Sequence, residues 1–411
     1  MSSLNLAAFD AALKQHYTND MVENLVYSDN PFLAMVSKYA KFGGRNLPIP
    51  LIHGNPQGRS ATFATAQANK SASLIKDFLL TRVSDYGLAS IDNETLEASI
   101  GDANAFMEAA TTEIDGCINA VARSLAISMF RSGSGEIGQV NAEPSVAAST
   151  VITLKEVSDI TNFEVGQVLN IWSAESGGTQ RSVDGSIVNL TVSAVDRDAG
   201  TVTFASAYDA SGTIAANDFF FVQGDRGAKL SGLAAWLPAT APTSGDSFFG
   251  VDRSVDATRL AGIRSNATGK TLEEAVVDAA ARVSREGGKP DVCWMSYERF
   301  AALEKELGSK VQYVDAKLDA EIGFRGISIN GPRGVIKCMA DANCPSDKAY
   351  MLTMNTWKLY SLGEAPKILN QDGNRLLREA SADAVEVRVG YYANLGCKAP
   401  GHNAVIFNFG A

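Results

Sequence analysis

Arg45-Asn46-Leu47-Pro48-Ile49-Pro50-Leu51-Ile52 and, after a polar interval, Ile75-Lys76-Asp77-Phe78-Leu79-Leu80-Thr81-Arg82-Val83-Ser84-Asp85-Tyr86-Gly87-Leu88-Ala89-Ser90-Ile91 are the stretches whose reading decides the fold. The first alternates Leu47, Ile49 and Leu51 with Asn46, Pro48 and Pro50, the period of a strand, and its prolines exclude it from the middle of a sheet. The second reads as one extended limb through Phe78, Leu80, Val83, Tyr86 and Leu88. Residues 53–73 between them open on the turn signal Asn55-Pro56-Gln57-Gly58 and contain Phe63 as their single large apolar side chain. Such a tip has no core of its own. A limb of about fifteen residues reaches about 50 Å at roughly 3.3 Å per residue, whereas a compact chain of this length has a radius of gyration of about 22 Å. The arm is therefore expected to lie on a neighbouring molecule, which points to assembly rather than catalysis.

Downstream, Asp102 is placed to cap a helix in which Phe106, Ala110, Ile114, Cys117, Val121, Leu125 and Met129 recur every three or four residues down to Gly133. That predicts a helix over 102–131, about 43 Å long, with a single apolar stripe that leaves one face to solvent or a partner. Upstream, Leu6, Phe9, Leu13 and Tyr17 share one face of a short amphipathic helix, a second helical stretch follows Asp20, and Asn30-Pro31 breaks the chain before the apolar run Phe32-Leu33-Ala34-Met35-Val36. After the linker 143–148 the pattern changes to short strands with polar turns over 151–224, an inserted all-β module large enough for a small barrel. From Leu230 it becomes mixed α/β: helices over 272–286 and 297–307, a strand over 291–295, and strands around Ile327, Val335, Tyr350 and Lys358. Two closing strands, around 385–391 and 404–409, are expected to return beside the long helix.

The 411 residues allow two or three domains, and 45% hydrophobic with 20% charged residues is the make-up of an ordinary folded protein. No run of eighteen apolar residues occurs, and Met1-Ser2-Ser3-Leu4-Asn5 lacks the basic and apolar regions of a signal peptide, so a chain made and used in a cytoplasm, with no membrane partner, is expected. Five cysteines, Cys117, Cys293, Cys338, Cys344 and Cys397, are an odd number at irregular spacing and read as free, mostly buried thiols. A net charge of −10 argues against tight binding to nucleic-acid phosphates.

The search for chemistry yields no catalytic residue, cofactor site or metal site. His16, His53 and His402 are scattered. Cys338 and Cys344 lack the Cys-x-x-Cys spacing of a metal knuckle. Gly269-Lys270-Thr271 imitates a phosphate loop, but Arg264 stands where the first glycine belongs, and Thr271-Leu272-Glu273-Glu274 reads instead as a capping box. Asp196, Asp198 and Asp209 lack the glycine and terminal glutamate of a calcium loop, and Asp372, Glu379 and Asp383 read as turn and surface residues. Arg45, Arg59, Lys70, Lys76 and Arg82 make the arm basic within an acidic protein, which suits an acidic surface on an adjoining subunit ahead of DNA or a merely solvated hairpin.

The order of these parts resembles that of tailed-bacteriophage major capsid proteins with the Hong-Kong-97-like fold. The phrases that carry the resemblance are Asn30-Pro31-Phe32, Phe42-Gly43-Gly44-Arg45, Asp291-Val292-Cys293-Trp294-Met295, Gly331-Pro332-Arg333-Gly334, Thr356-Trp357-Lys358-Leu359 and Asn394-Leu395-Gly396-Cys397. It implies an α+β chain divided into an N-terminal arm (1–44), an extended hairpin loop (45–75), a peripheral domain with a spine helix (76–149, helix 102–131), a β-barrel-like insertion (150–225), an axial domain (226–381) and returning peripheral strands (382–411). It implies a structural role, with hexamers and pentamers building an icosahedral virion shell around double-stranded DNA that is touched without sequence preference. Implied partners are a portal protein, an optional decoration protein and, because amphipathic sequence begins within a few residues of Met1, a separate scaffolding protein. Pro31, Phe32, Arg45, Arg59, Phe63, Lys70, Lys76 and Arg82 are the candidate inter-subunit contacts. The alternatives are an encapsulin-like nanocompartment shell or, from another class, a hydrolase or carbohydrate-binding protein using the β module.

Overall fold

The computed structural model describes residues 30–93, 103–141, 150–183, 186–187, 189–206, 214–307, 313–316, 324–370, 373, 377–378 and 383–409. The N-terminal amphipathic stretches, the Asp102 cap, the 143–148 linker, Asp209, Asp372 and Glu379 lie outside them.

Three sheets organise the chain. The first has six strands. At its centre Ala384–Cys397 pairs antiparallel with Val83–Asp92 over ten residues, Ala384↔Asp92 to Ala393↔Val83, and also with Trp357–Ser361, Lys367–Ile368 and Leu377–Arg378, while Ser37–Tyr39 adds at the edge of Trp357–Ser361. Its inner face carries Val385, Val387, Val389 and Tyr391, all buried against the long helix Ala103–Phe130, which contributes Ile114, Ile118, Val121, Leu125 and Met129 at helical spacing. Gly87 permits this contact: a Cβ there would come within 2.6 Å of Val121 and 2.8 Å of Cys117.

The second sheet, also of six strands, runs in the order Glu136–Gln139, Phe219–Val222, Val168–Trp172, Leu190–Asp196, Thr201–Phe204, Val151–Thr153, antiparallel throughout. Its two end strands meet: Val140 bridges Leu154, and Lys155 N and Asn141 N donate to Gln139 O and Thr153 O at 2.9 and 3.0 Å. Period-two alternation in each strand fills the interior with Ile152, Leu169, Ile171, Val192, Val202, Phe204 and Phe220.

The third sheet has seven strands ordered Ile263–Asn266, Ala404–Phe407, Lys348–Leu352, Val292–Met295, Gly334–Ala340, Phe324–Gly331, Tyr313–Ala316. Its central Val-Cys-Trp-Met is buried on both faces. Val292 and Trp294 turn toward the long-helix core, and Cys293 and Met295 toward helices Leu272–Arg285 and Tyr297–Leu307. The first of these helices opens with the expected capping box, Thr271 Oγ1 accepting from Glu274 N and Glu274 Oε2 from Thr271 N, an arrangement that contributes about 1 kcal/mol. Asn403, fully buried, ties the first and third sheets: its Oδ1 accepts from Thr353 N at 2.8 Å and Trp357 Nε1 at 2.9 Å, and its Nδ2 donates to Ala399 O at 2.8 Å.

Several expectations are corrected. The limb 75–91 is two strands, Leu74–Thr81 in the arm and Val83–Asp92 in the first sheet, separated at Arg82. Ala404–Phe407 does not return beside the long helix; it pairs parallel with Ile263–Asn266 and antiparallel with Lys348–Leu352. Trp357–Ser361, expected with the α/β strands, joins the first sheet instead. The β module recruits Glu136–Gln139 from upstream of the linker. The last turns of the long helix have no free face: Leu125 to Phe130 are all buried, because the second sheet covers the side that the core does not.

Candidate assembly surface

The arm is a two-stranded ribbon, Asn46–Gly54 against Leu74–Thr81, with Leu47↔Leu80 and Ile49↔Phe78 on one face and Pro48↔Leu79 and Ile52↔Ile75 on the other. The first face is the chain's own. Ile49, Phe78 and Leu80 are buried in the main core, Phe78 packing edge-on to Trp236 with ring centroids 5.1 Å apart and Trp236 in turn to Phe248 at 5.0 Å. Leu79 N donates to Phe249 O at 2.9 Å, and the Arg259 guanidinium donates to His53 O at 2.6 Å. The arm is thus clasped along its base by residues 248–259 of the same chain, so less of it is free than the sequence implies.

Beyond that clasp nothing is buried. From Gly54 to Ile75 every residue is exposed or half-exposed, Phe63 is 83% exposed on the short helix Phe63–Ala68, and Ile52, Leu74 and Ile75 are each more than half exposed. Local polar bonds hold the tip, Gln57 N to Ser71 Oγ at 2.6 Å and Thr62 Oγ1 to Thr65 Oγ1 at 2.8 Å. No Asp or Glu occurs between Arg45 and Lys76, so Arg45, Arg59, Lys70 and Lys76, all exposed, face no carboxylate of their own segment. This acid-free run is plain in the sequence once its limits are drawn.

The other contact candidates sit differently. Pro31 and Phe32 are spent inside the chain: Phe32 is 1% exposed, its ring 5.0 Å from Phe130 and 5.6 Å from Trp294, and its backbone N–H donates to the buried Asp341 carboxylate at 3.2 Å. Arg82, half-buried, donates to Phe42 O and stacks over the Phe42 ring at 4.8 Å. It locks the point where the arm ribbon ends and the first sheet begins.

A second exposed patch, which sequence reasoning missed, lies on the outer face of the first sheet. Tyr86 and Leu88 point away from the helix, and Tyr86 meets Tyr392 with ring centroids 6.0 Å apart. Beneath it, Lys229 Nζ bonds Asp85 Oδ2 at 2.6 Å, Asp225 Oδ2 at 3.0 Å and Ser124 Oγ at 2.9 Å, joining sheet, turn and helix. Burial raises the Asp225 pKa, which Lys229 opposes.

Cys344 and Cys397 are not poised for nucleophilic chemistry. The described cysteines are free, and burial pushes the Cys344 thiol well up and Cys397 up to about 12, so neither supplies a thiolate at neutral pH. Asp196 Oδ1 accepts from Asp198 N and Ala199 N, each at 3.0 Å, which is turn chemistry. Among the described residues no cluster of three or more His, Cys, Asp or Glu could hold a metal, and no helix is long and apolar enough to cross a membrane.

Residues 213–373, the end of the second sheet and most of the third, match the family model of the SU10 major capsid protein. No curated protein matches the chain. Among solved structures, a chain of the cyanophage A-1(L) capsid asymmetric unit aligns over 93% of this chain and 94% of its own with a TM-score of 0.54 at 12% identity. Chains of the capsid of an empty GTA particle (TM-score 0.43, 9% identity, 93% and 97% covered) and of Mycobacterium phage Bobi (0.41, 9%, 96% and 99%) also align, at scores that add no weight. Residues 213–373 thus resemble a major capsid protein family, and nearly the whole chain shares the fold of a cyanophage capsid chain.

Proposed function

We propose that this chain is a major capsid protein that builds hexamers and pentamers of an icosahedral shell around double-stranded DNA, with the arm beyond Gly54 laid on the adjoining copy. The observation that carries this reading is the distal arm itself: apolar side chains without a core and cations without local carboxylates, on a chain whose net charge is −10. Electrostatic attraction then orients the approach of a second copy, and burial of Ile52, Phe63, Leu74 and Ile75 supplies the lasting contact. Each such contact is modest, and a closed shell multiplies it.

The same reading assigns the Hong-Kong-97-like parts. The arm is the extended loop, the long helix the spine of a peripheral domain that includes the first sheet, the second sheet a barrel-like insertion, and the third sheet with its two helices the axial domain. A separate scaffolding protein guides closure, a portal occupies one vertex, and the acidic body holds DNA without sequence preference. Synthesis and assembly take place in the host cytoplasm. Light scattering and negative-stain electron microscopy of the expressed protein, with and without a candidate scaffolding protein, test this. Capsomer rings or closed shells are expected, and a stable monomer or dimer under both conditions would refute it.

A further inference from the structure

The second sheet is joined to the body through two short turns. The inbound turn, 132–135, contains Gly133 and Gly135 at φ 88° and 86°; the outbound turn, 224–227, contains Gly224 and Gly227 at φ 88° and 70°. These are left-handed conformations in which glycine is unstrained. The turns are bonded to each other, Gly227 N to Ser134 O at 2.6 Å, and so form one strap. Behind the strap lies a cavity of about 110 Å³ between long helix and sheet, lined among others by Ala120, Ile127, Ile137 and Val222. The module is therefore not packed flush on the helix.

What holds it there is polar. Arg131, at the end of the helix, bridges Glu136 at 2.9 Å and Asp159 of the module at 2.5 Å. Arg123 donates to Thr161 O and faces Glu164 at 3.9 Å. On the far side Ser346 Oγ donates to Glu156 Oε2 at 2.7 Å. The Nε atoms of Arg123 and Arg131 are buried without a partner, so the closed arrangement leaves donors unmet.

We propose that residues 136–222 form a hinged module swinging on the turns 132–135 and 224–227, latched to the long helix by Arg131 on Asp159, with the protonation of Asp159 setting the latch. Asp159 faces Arg131 from the helix, Glu136 from the first strand of its sheet and Asp347 from the loop before Lys348–Leu352, with Glu156 on its own turn. One guanidinium serves more than one acid. Burial first, and then the neighbouring carboxylates, push Asp159 up to about 6 despite Arg131. Burial also works against the Arg131 charge, but Asp159 and Glu136 outweigh it and keep the guanidinium protonated.

The sign follows by linkage. Where undocking exposes Asp159 to water its pKa returns to about 3.9, so docking takes up a proton. The latch is fully closed in acid and loosens as pH rises through about 6. Amide hydrogen exchange of the full-length, unassembled protein, corrected for intrinsic rates, reads the strap directly. Protection of residues 132–135 and 223–228 should fall about tenfold between about pH 5 and about pH 8. Asp159→Asn, neutral and of the same shape, should keep the acid level of protection at both. Wild-type protection that does not change with pH, or a pH response that persists in Asp159→Asn, would overturn the proposal. The wild-type series decides even where the variant fails to fold. Because it is read on unassembled protein, its failure leaves the shell reading untouched.

Discussion

The base and the tip of the arm share the same two strands and the same alternation, yet one is core and the other is bare. On the inward face Ile49, Phe78 and Leu80 are buried and Leu47 half-buried against the main core, and His53 is still buried; from Gly54 to Leu74 the chain continues with nothing beneath it. A strand pattern therefore records that a face is covered without recording by whom. Here the pattern near the base is satisfied within the chain, and the tip has no cover within it.

Variants can break this contrast from either side. The largest effect is expected at the base: Phe78→Ala empties a fully buried aromatic site and should cost about 3–5 kcal/mol of monomer stability, measured by urea unfolding. A loss below about 1 kcal/mol would mean that the base is not core. Arg259→Ala removes the charged donor to His53 O, which should cost about 1.5–3 kcal/mol and raise amide exchange around His53. At the tip the order reverses. Ile52→Asp with Ile75→Lys, an opposite-charge pair across the ribbon, should change monomer stability by no more than about 0.5 kcal/mol while preventing capsomer formation, as sedimentation would show. The smallest effect is expected from Arg59→Glu with Lys70→Glu, which should slow assembly and flatten its salt dependence without changing the melt. Unchanged kinetics at low salt would remove the acidic-partner reading.

Legibility followed how local each decision was. The capping box at Thr271–Glu274 and the helix it opens could be read because their partners lie three residues apart. Val292-Cys293-Trp294-Met295 was readable as a strand, and its four apolar residues fit the central, doubly covered place it takes. Ala404–Phe407 and Trp357–Ser361 were assigned to the wrong sheets because period two identifies a strand and says nothing of a neighbour far along the chain. Arg82 divides the second limb through its contacts with Phe42, forty residues earlier, and no local breaker marks the spot. For the assembly surface, the charge and exposure of Arg45, Arg59, Phe63, Lys70 and Lys76 were readable, whereas the burial of Pro31 and Phe32 depends on Phe130, Trp294 and Asp341 meeting in space.

Deleting residues 54–73 and joining the strands by a short turn tests the central claim most directly, by comparing the thermal melt of the monomer with electron micrographs of its assembly reaction. The melt should match that of the full chain while closed shells disappear. Normal shells from the deleted protein would contradict the role given to the arm.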